Sequence, residues 1–115
     1  MSQPEYSVRL LRIAEDDLTE IVTYIAADRL SAAEALADKI EKNLNLLSQN
    51  PYLGRVPKEE QLARLGYRYL VVQNYLIFYT IEEQTIYVPA RRSATFRHAG
   101  VHRILHGARD YISLF

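Results

Sequence analysis

The segment Val101-His102-Arg103-Ile104-Leu105-His106-Gly107-Ala108-Arg109-Asp110-Tyr111 holds two of the chain's three histidines together with Arg103, Arg109 and a tyrosine. Arginine grips phosphates and carboxylates with a planar fork of donors, and histidine titrates near neutral pH. The chemistry such a set suggests is the binding of an anion. The charge of the whole chain points the same way. Residues 1–60 carry seven Lys and Arg against eleven Asp and Glu, whereas residues 61–115 carry seven against three. The formal zero is therefore a −4 half joined to a +4 half. Every basic residue of the second half is an arginine: Arg64, Arg68, Arg91, Arg92, Arg97, Arg103 and Arg109. Such a division favours one face made to meet nucleic acid or an acidic protein.

Each of these residues also fits a structural role. His106, between Leu105 and Gly107, suits a histidine bonding backbone at a strand end. Arg68 and Arg103 alternate with apolar residues, as on the solvent face of a one-sided sheet. Arg109 and Asp110 suit a local ion pair of little energetic weight. Tyr67, Tyr69, Tyr75, Tyr79 and Tyr87 suit cross-strand packing, and Arg91, Arg92, Arg97 and His98 suit a solvated basic loop. Cysteine is absent, and His102 and His106 stand apart from carboxylates in sequence, so no metal site and no cofactor are expected.

The elements that must position these groups are legible from periodicity. Residues 6–11 suit a short strand, and a helix is expected from near Ala14, with Glu15, Asp16 and Asp17 in its negative first turn. Leu18, Ile21, Val22 and Ile25 recur at helical spacing on one face. Ser31 followed by Glu34 predicts a capping box opening a second helix, whose stripe runs through Ala33, Ala37, Ile40, Leu44 and Leu47. Asn50-Pro51 ends it, and the short link between the two requires antiparallel pairing. After a loop punctuated by Gly54, Pro57 and Gly66 come strands over 67–73 and 75–81, turning at Asn74. Glu82-Glu83-Gln84 reads as the next turn and 85–88 as a third strand. Pro89 removes a ladder donor and 89–100 shows no apolar period, so this stretch is expected to be an insertion loop before a last strand at 101–106. The 115 residues make one domain, 1–115. No stretch approaches the roughly 18 apolar residues of a membrane span, and residues 1–6 lack the pattern of a leader, so a cytoplasmic protein with no membrane partner is expected.

The segments Gly66-Tyr67-Arg68-Tyr69-Leu70, Tyr75-Leu76-Ile77-Phe78-Tyr79 and 101–111, with a helical hairpin ending in Asn50-Pro51-Tyr52-Leu53-Gly54-Arg55, follow one another in a recognisable order. In that order the chain resembles toxins of the RelE/ParE superfamily from type II toxin–antitoxin modules. The resemblance implies an α+β fold of order βααβββ, with the helical hairpin on one face of an antiparallel sheet. It also implies a hetero-oligomer with a co-encoded antitoxin. RelE-like members cut ribosome-bound mRNA, whereas ParE-like members poison DNA gyrase without a recognised hydrolytic site. For the nuclease branch it implies a base, an acid and a cation for the phosphate drawn from His106, Arg109, Arg68, Arg103 and Tyr111, with His102 a further candidate. RelE-like nucleases place an arginine just after the middle-strand tyrosine; here that position is Leu76. Together with the Tyr-Leu-Ile-Phe-Tyr strand, this favours the ParE-like branch. A third reading is a degenerate toxin that retains only antitoxin binding.

Overall fold

The computed structural model describes the backbone of residues 6–88, 92–107 and 115, and the side chains of these except 83–88 and 92–98. The elements are β1 (Ser7–Leu10), α1 (Arg12–Asp28), α2 (Leu30–Gln49), α3 (Glu60–Arg64), β2 (Arg68–Val72), β3 (Tyr75–Val88) and β4 (Arg92–His106). Apart from the short helix α3 this is the expected βααβββ order. The sheet runs β1-β4-β3-β2. It is mixed, not antiparallel as expected, because β1 pairs parallel with β4, Ser7 opposite His98 and Leu10 opposite Val101. The Leu11 amide continues that ladder to the Val101 carbonyl at 2.9 Å before the chain turns into α1.

Apolar residues at helical spacing set the packing of the hairpin. Ala14, Leu18, Ile21 and Ile25 of α1 and Leu36, Ile40, Leu44 and Leu47 of α2 meet Ile77, Tyr79, Val101 and Ile104 of the sheet in one core. Leu36, Ile40 and Leu47 are fully buried, each contributing about 1.5–3 kcal/mol relative to exposure. A single extended residue, Arg29, links the helices. Because α2 begins at Leu30, Ser31 falls inside its first turn, and the expected capping box does not form: no side chain caps this end.

The expected turn at 82–84 and insertion at 89–100 are both replaced by continuous strand. β3 and β4 pair from Tyr75 opposite His106 to Val88 opposite Arg92. Beyond the reach of β1 and β2 they form a two-stranded ribbon, about 20 Å long at roughly 3.3 Å per residue. A ribbon of this kind pairs its inward backbone groups across the ladder and leaves the outward ones to water, without needing an apolar face, so it carries little of the alternation by which a core strand is recognised. Its register does carry pairing signals: Glu83 stands opposite Arg97 and Thr85 opposite Thr95. Residues 89–91, including Pro89 and Arg91, lie outside the described residues.

A second joint holds the loop after α2. Tyr79, fully buried on β3, donates its hydroxyl to the Pro51 carbonyl at 2.7 Å and accepts from the Gly54 amide at 2.9 Å. A Cβ at Gly54 would sit 2.6 Å from that hydroxyl and 2.9 Å from the Tyr69 carbonyl oxygen, so only glycine fits. Next to it, Arg55 and Tyr69 exchange backbone hydrogen bonds of 2.8 and 2.9 Å, which adds a bridge beside β2. The helix α3 closes with Gly66 at φ +83°, its amide bonding the Ala63 carbonyl while the Tyr67 amide bonds Leu62. This glycine-ended cap delivers the chain into β2 and sets Leu62 against Tyr67. Among the described residues no helix is long and apolar enough to cross a membrane.

The ribbon makes opposite demands on two deletions. Replacing 84–96 with an Asn-Gly turn from Glu83 to Arg97 keeps every pair between β1 and β4 and should leave a cooperatively unfolding domain with native circular dichroism. Excising 89–100 removes the partners of Ser7, Val8 and Arg9 and should abolish cooperative unfolding in urea. A well-folded product of the second deletion would show the β4 register to be wrong.

Candidate functional site

The residues expected to form a nuclease centre are drawn into separate joints. Arg68, at the start of β2, donates Nη1 to the Gly54 carbonyl at 2.9 Å and to Tyr52 at 3.4 Å. Its guanidinium carbon lies 5.1 Å from the centroid of the Tyr52 ring. Arg68 thus closes the loop after α2, in place of the solvent-facing role expected of it. Arg103 is held more firmly. Its Nε and Nη2 donate to the two carboxylate oxygens of Asp17 at 2.8 and 2.9 Å, and the side chains are only 15% and 12% exposed. The hydrogen bond to Asp17 raises the arginine's pKa above its ordinary value, with desolvation opposing it. Asp17 also accepts the Ile104 amide at 3.1 Å. The solvent-facing reading of Arg103 is therefore corrected too: it ties β4 to α1.

His106, at the end of β4, stands opposite Tyr75 with the two rings edge to face at 5.4 Å. It borders a cavity beside α1 whose wall also includes Asp17, the partner of Arg103. Arg109 and Tyr111 lie outside the described residues. Arg68 is held apart at the loop after α2, whereas His106 and the carboxylate that binds Arg103 line one cavity, with the arginine's donors turned to that carboxylate. Leu76 faces Leu105 across the ladder and packs with Leu62 and Phe78, where a cation would be poorly solvated.

A different group converges on the sheet face away from α1 and α2. The register slips between Phe78 opposite Arg103 and Tyr79 opposite Val101, which leaves His102 as the extra residue of a bulge. Bulges bend a strand and re-aim a side chain, and they are common beside functional sites. His102 Nδ1 lies 3.4 Å from the Tyr67 hydroxyl and Nε2 2.8 Å from Thr80 Oγ1, which in turn lies 3.3 Å from Glu82 Oε1. A carboxylate can only accept, so Thr80 donates to Glu82. Its oxygen then accepts from Nε2–H, and Nδ1 accepts from Tyr67. The four groups form one directed chain of donors.

Burial lowers the His102 pKa, with the Glu82 charge partly opposing it, and burial raises that of Tyr67. The imidazole is therefore held neutral. Around it Tyr67 meets His102 edge-on at 5.0 Å, and Phe115 packs edge-on against Tyr67 and Phe78 at 4.9 and 5.1 Å. What this arrangement offers is an aromatic face around a neutral imidazole whose Nδ1 is engaged by Tyr67 and whose Nε2 is engaged by Thr80. Among the described residues no three His, Asp or Glu side chains cluster closely enough to hold a metal. His102 belongs to the terminal segment that drew attention in the sequence, but nothing in that segment marked the bulge which singles it out.

Residues 8–90 match the family described as the ParE toxin of the type II toxin-antitoxin system, parDE. The chain therefore belongs to the ParE toxin family, the ParE-like side of the RelE/ParE superfamily. Its fold is similar to that of a chain from the chromosomal ParDE TA system of P. aeruginosa, with a TM-score of 0.63. The likeness covers 90% of this chain and 98% of that one at 17% identity, a similarity of fold. Among curated proteins, none matches the chain by sequence. The family match ends before β4, so the chemistry of His102, Arg103 and His106 is read from their geometry.

The His102 pKa has a testable sign. The unfolded chain takes up a proton on this imidazole near 6.5, whereas the folded one takes it up only at lower pH. Folding stability contributed by neutral His102 is thus present above that value and lost as pH falls through the interval below it. Urea midpoints measured from pH 7.5 to 5 should decline below about 6.5, with His102→Gln showing a shallower decline. Equal slopes for the two proteins would remove His102 from its buried setting.

Proposed function

We propose that this chain is the toxin of a cytoplasmic type II module, held inactive in a hetero-oligomer with a co-encoded antitoxin, and that on release it poisons DNA gyrase by binding. The observation that carries this reading is the engagement of Arg103 by Asp17. The cation that a nuclease would aim at the developing phosphate charge is here the partner of a carboxylate, with Nε and Nη2 engaged by its two oxygens. Arg68 is similarly engaged by the carbonyls of Tyr52 and Gly54. Leu76 within an apolar cluster supports the same conclusion. Action by surface contact needs none of these groups free. It needs an exposed face, for which the Tyr67, His102 and Phe115 aromatic surface is suited.

An endoribonuclease acting on ribosome-bound mRNA is the second reading, favoured by the donor chain through His102, which supplies a neutral base beside a hydroxyl and a carboxylate. The two readings separate in one experiment. After induction of the chain, gyrase supercoiling and the integrity of ribosome-bound messenger are followed together, for the natural sequence and for His102→Gln. The gyrase reading expects supercoiling to fail first, with messenger intact. Prompt messenger cleavage that is abolished in His102→Gln, with supercoiling unaffected, would overturn it. A chain that impairs neither and still captures the product of a neighbouring gene would be a degenerate toxin.

A further inference from the structure

A cavity of about 190 Å³ lies between α1 and the paired ends of β3 and β4. Its α1 wall is built from Asp17, Glu20, Ile21 and Tyr24, which fall at i, i+3, i+4 and i+7 and so share one helix face. Tyr75 and His106 form the opposite wall. The volume is well below the roughly 300–1,000 Å³ of sites that enclose small-molecule cofactors, and suits one long side chain.

The lining specifies which side chain. Ile21 and Ile104 give an apolar floor for an alkyl stem, while the Tyr24 and Tyr75 rings offer π faces. Asp17 is neutralised by Arg103, but the exposed Glu20 carboxylate has no partner among the described residues. Tyr24 is 81% exposed at the lip, an unusual position for a large aromatic ring on a surface helix with nothing against it. The field around the cavity has the same sign: α1 carries Arg12 against Glu15, Asp16, Asp17, Glu20 and Asp28. An anion would meet an uncompensated carboxylate here, and a neutral side chain would leave Glu20 without a counter-charge.

We propose that this cavity is a receptor for one arginine or lysine side chain presented by a partner protein. The alkyl stem lies along Ile21 and Ile104, and the cationic head sits between the tyrosine rings with Glu20 beside it. Cation–π and carboxylate contacts act together there, in a site half shielded from water. The proposal concerns the helical side of the molecule, away from the His102 face, and stands whichever cellular target the toxin has.

The test uses the full-length chain, isotope-labelled and titrated at pH 7.5 with N-acetyl-arginine amide, with N-acetyl-norleucine amide as the neutral control. Resonances of Ile21, Tyr24, Tyr75 and His106 should shift together and saturate at millimolar ligand for arginine only. Glu20→Gln and Tyr24→Ala, both at exposed positions and therefore expected to fold, should each weaken that binding by about tenfold. Equal shifts with the neutral amide, shifts scattered over other acidic surface, or affinity unchanged in Glu20→Gln would each overturn the proposal.

Discussion

The carboxylate of Asp17 is the contact on which the rest of the architecture depends. β1 ends at Leu10, so beyond Val101 the outer edge of β4 has no strand beside it among the described residues. Asp17 accepts the Ile104 amide there and binds Arg103 with both oxygens. A single helical residue thus binds this edge of β4 and fixes where α1 crosses the sheet. Ala14, fully buried one turn earlier, allows the helix to approach that closely. The placement of α1 in turn sets α2, because only Arg29 lies between them.

The arginine-rich half of the chain takes on a different meaning in this light. Arg103 clamps helix to sheet, and Arg68 clamps the loop after α2, where Tyr79 holds Pro51 and Gly54. Two of the cations that suggested an anion-binding face are engaged within the fold. Desolvating a guanidinium is costly unless a carboxylate or several carbonyls meet it, and both arginines satisfy that condition. On the sheet face away from the helices Tyr67 and His102 are half-buried and Phe115 is exposed, and α1 is acidic.

Much of the fold was legible because its signals are local. Leu18, Ile21 and Ile25 on α1, and Ala33, Ile40 and Leu47 on α2, declare their helices by spacing alone, and the β-forming residues of 67–81 declare the first hairpin. The misreadings share a cause as well. The Glu82-Glu83-Gln84 run lies where β3 leaves the four-stranded part of the sheet, and a polar run between apolar ones resembles a turn. Ser31 has a capping partner at the right spacing, yet the N-cap of α2 is Arg29, two residues earlier. The parallel partner of β1 and the bulge at His102 depend on contacts between distant segments. Asp17 and Arg103 stand 86 positions apart, and no pattern in either neighbourhood indicates the other. The sequence therefore showed which residues were chemically capable but not which were already engaged.

The most direct measurement is a double-mutant cycle on Asp17 and Arg103, using Asp17→Asn and Arg103→Met, with unfolding free energy and growth inhibition recorded for all four proteins. If Arg103 is a clamp, each single replacement should cost about 3 kcal/mol or more, because the other charge stays largely buried without its bidentate partner. The coupling energy should be roughly 2 kcal/mol. Toxicity should follow stability across the set. Coupling below about 0.5 kcal/mol, with Arg103→Met as stable as the natural chain yet without toxicity, would contradict the account. It would return Arg103 to the residues that act on the target.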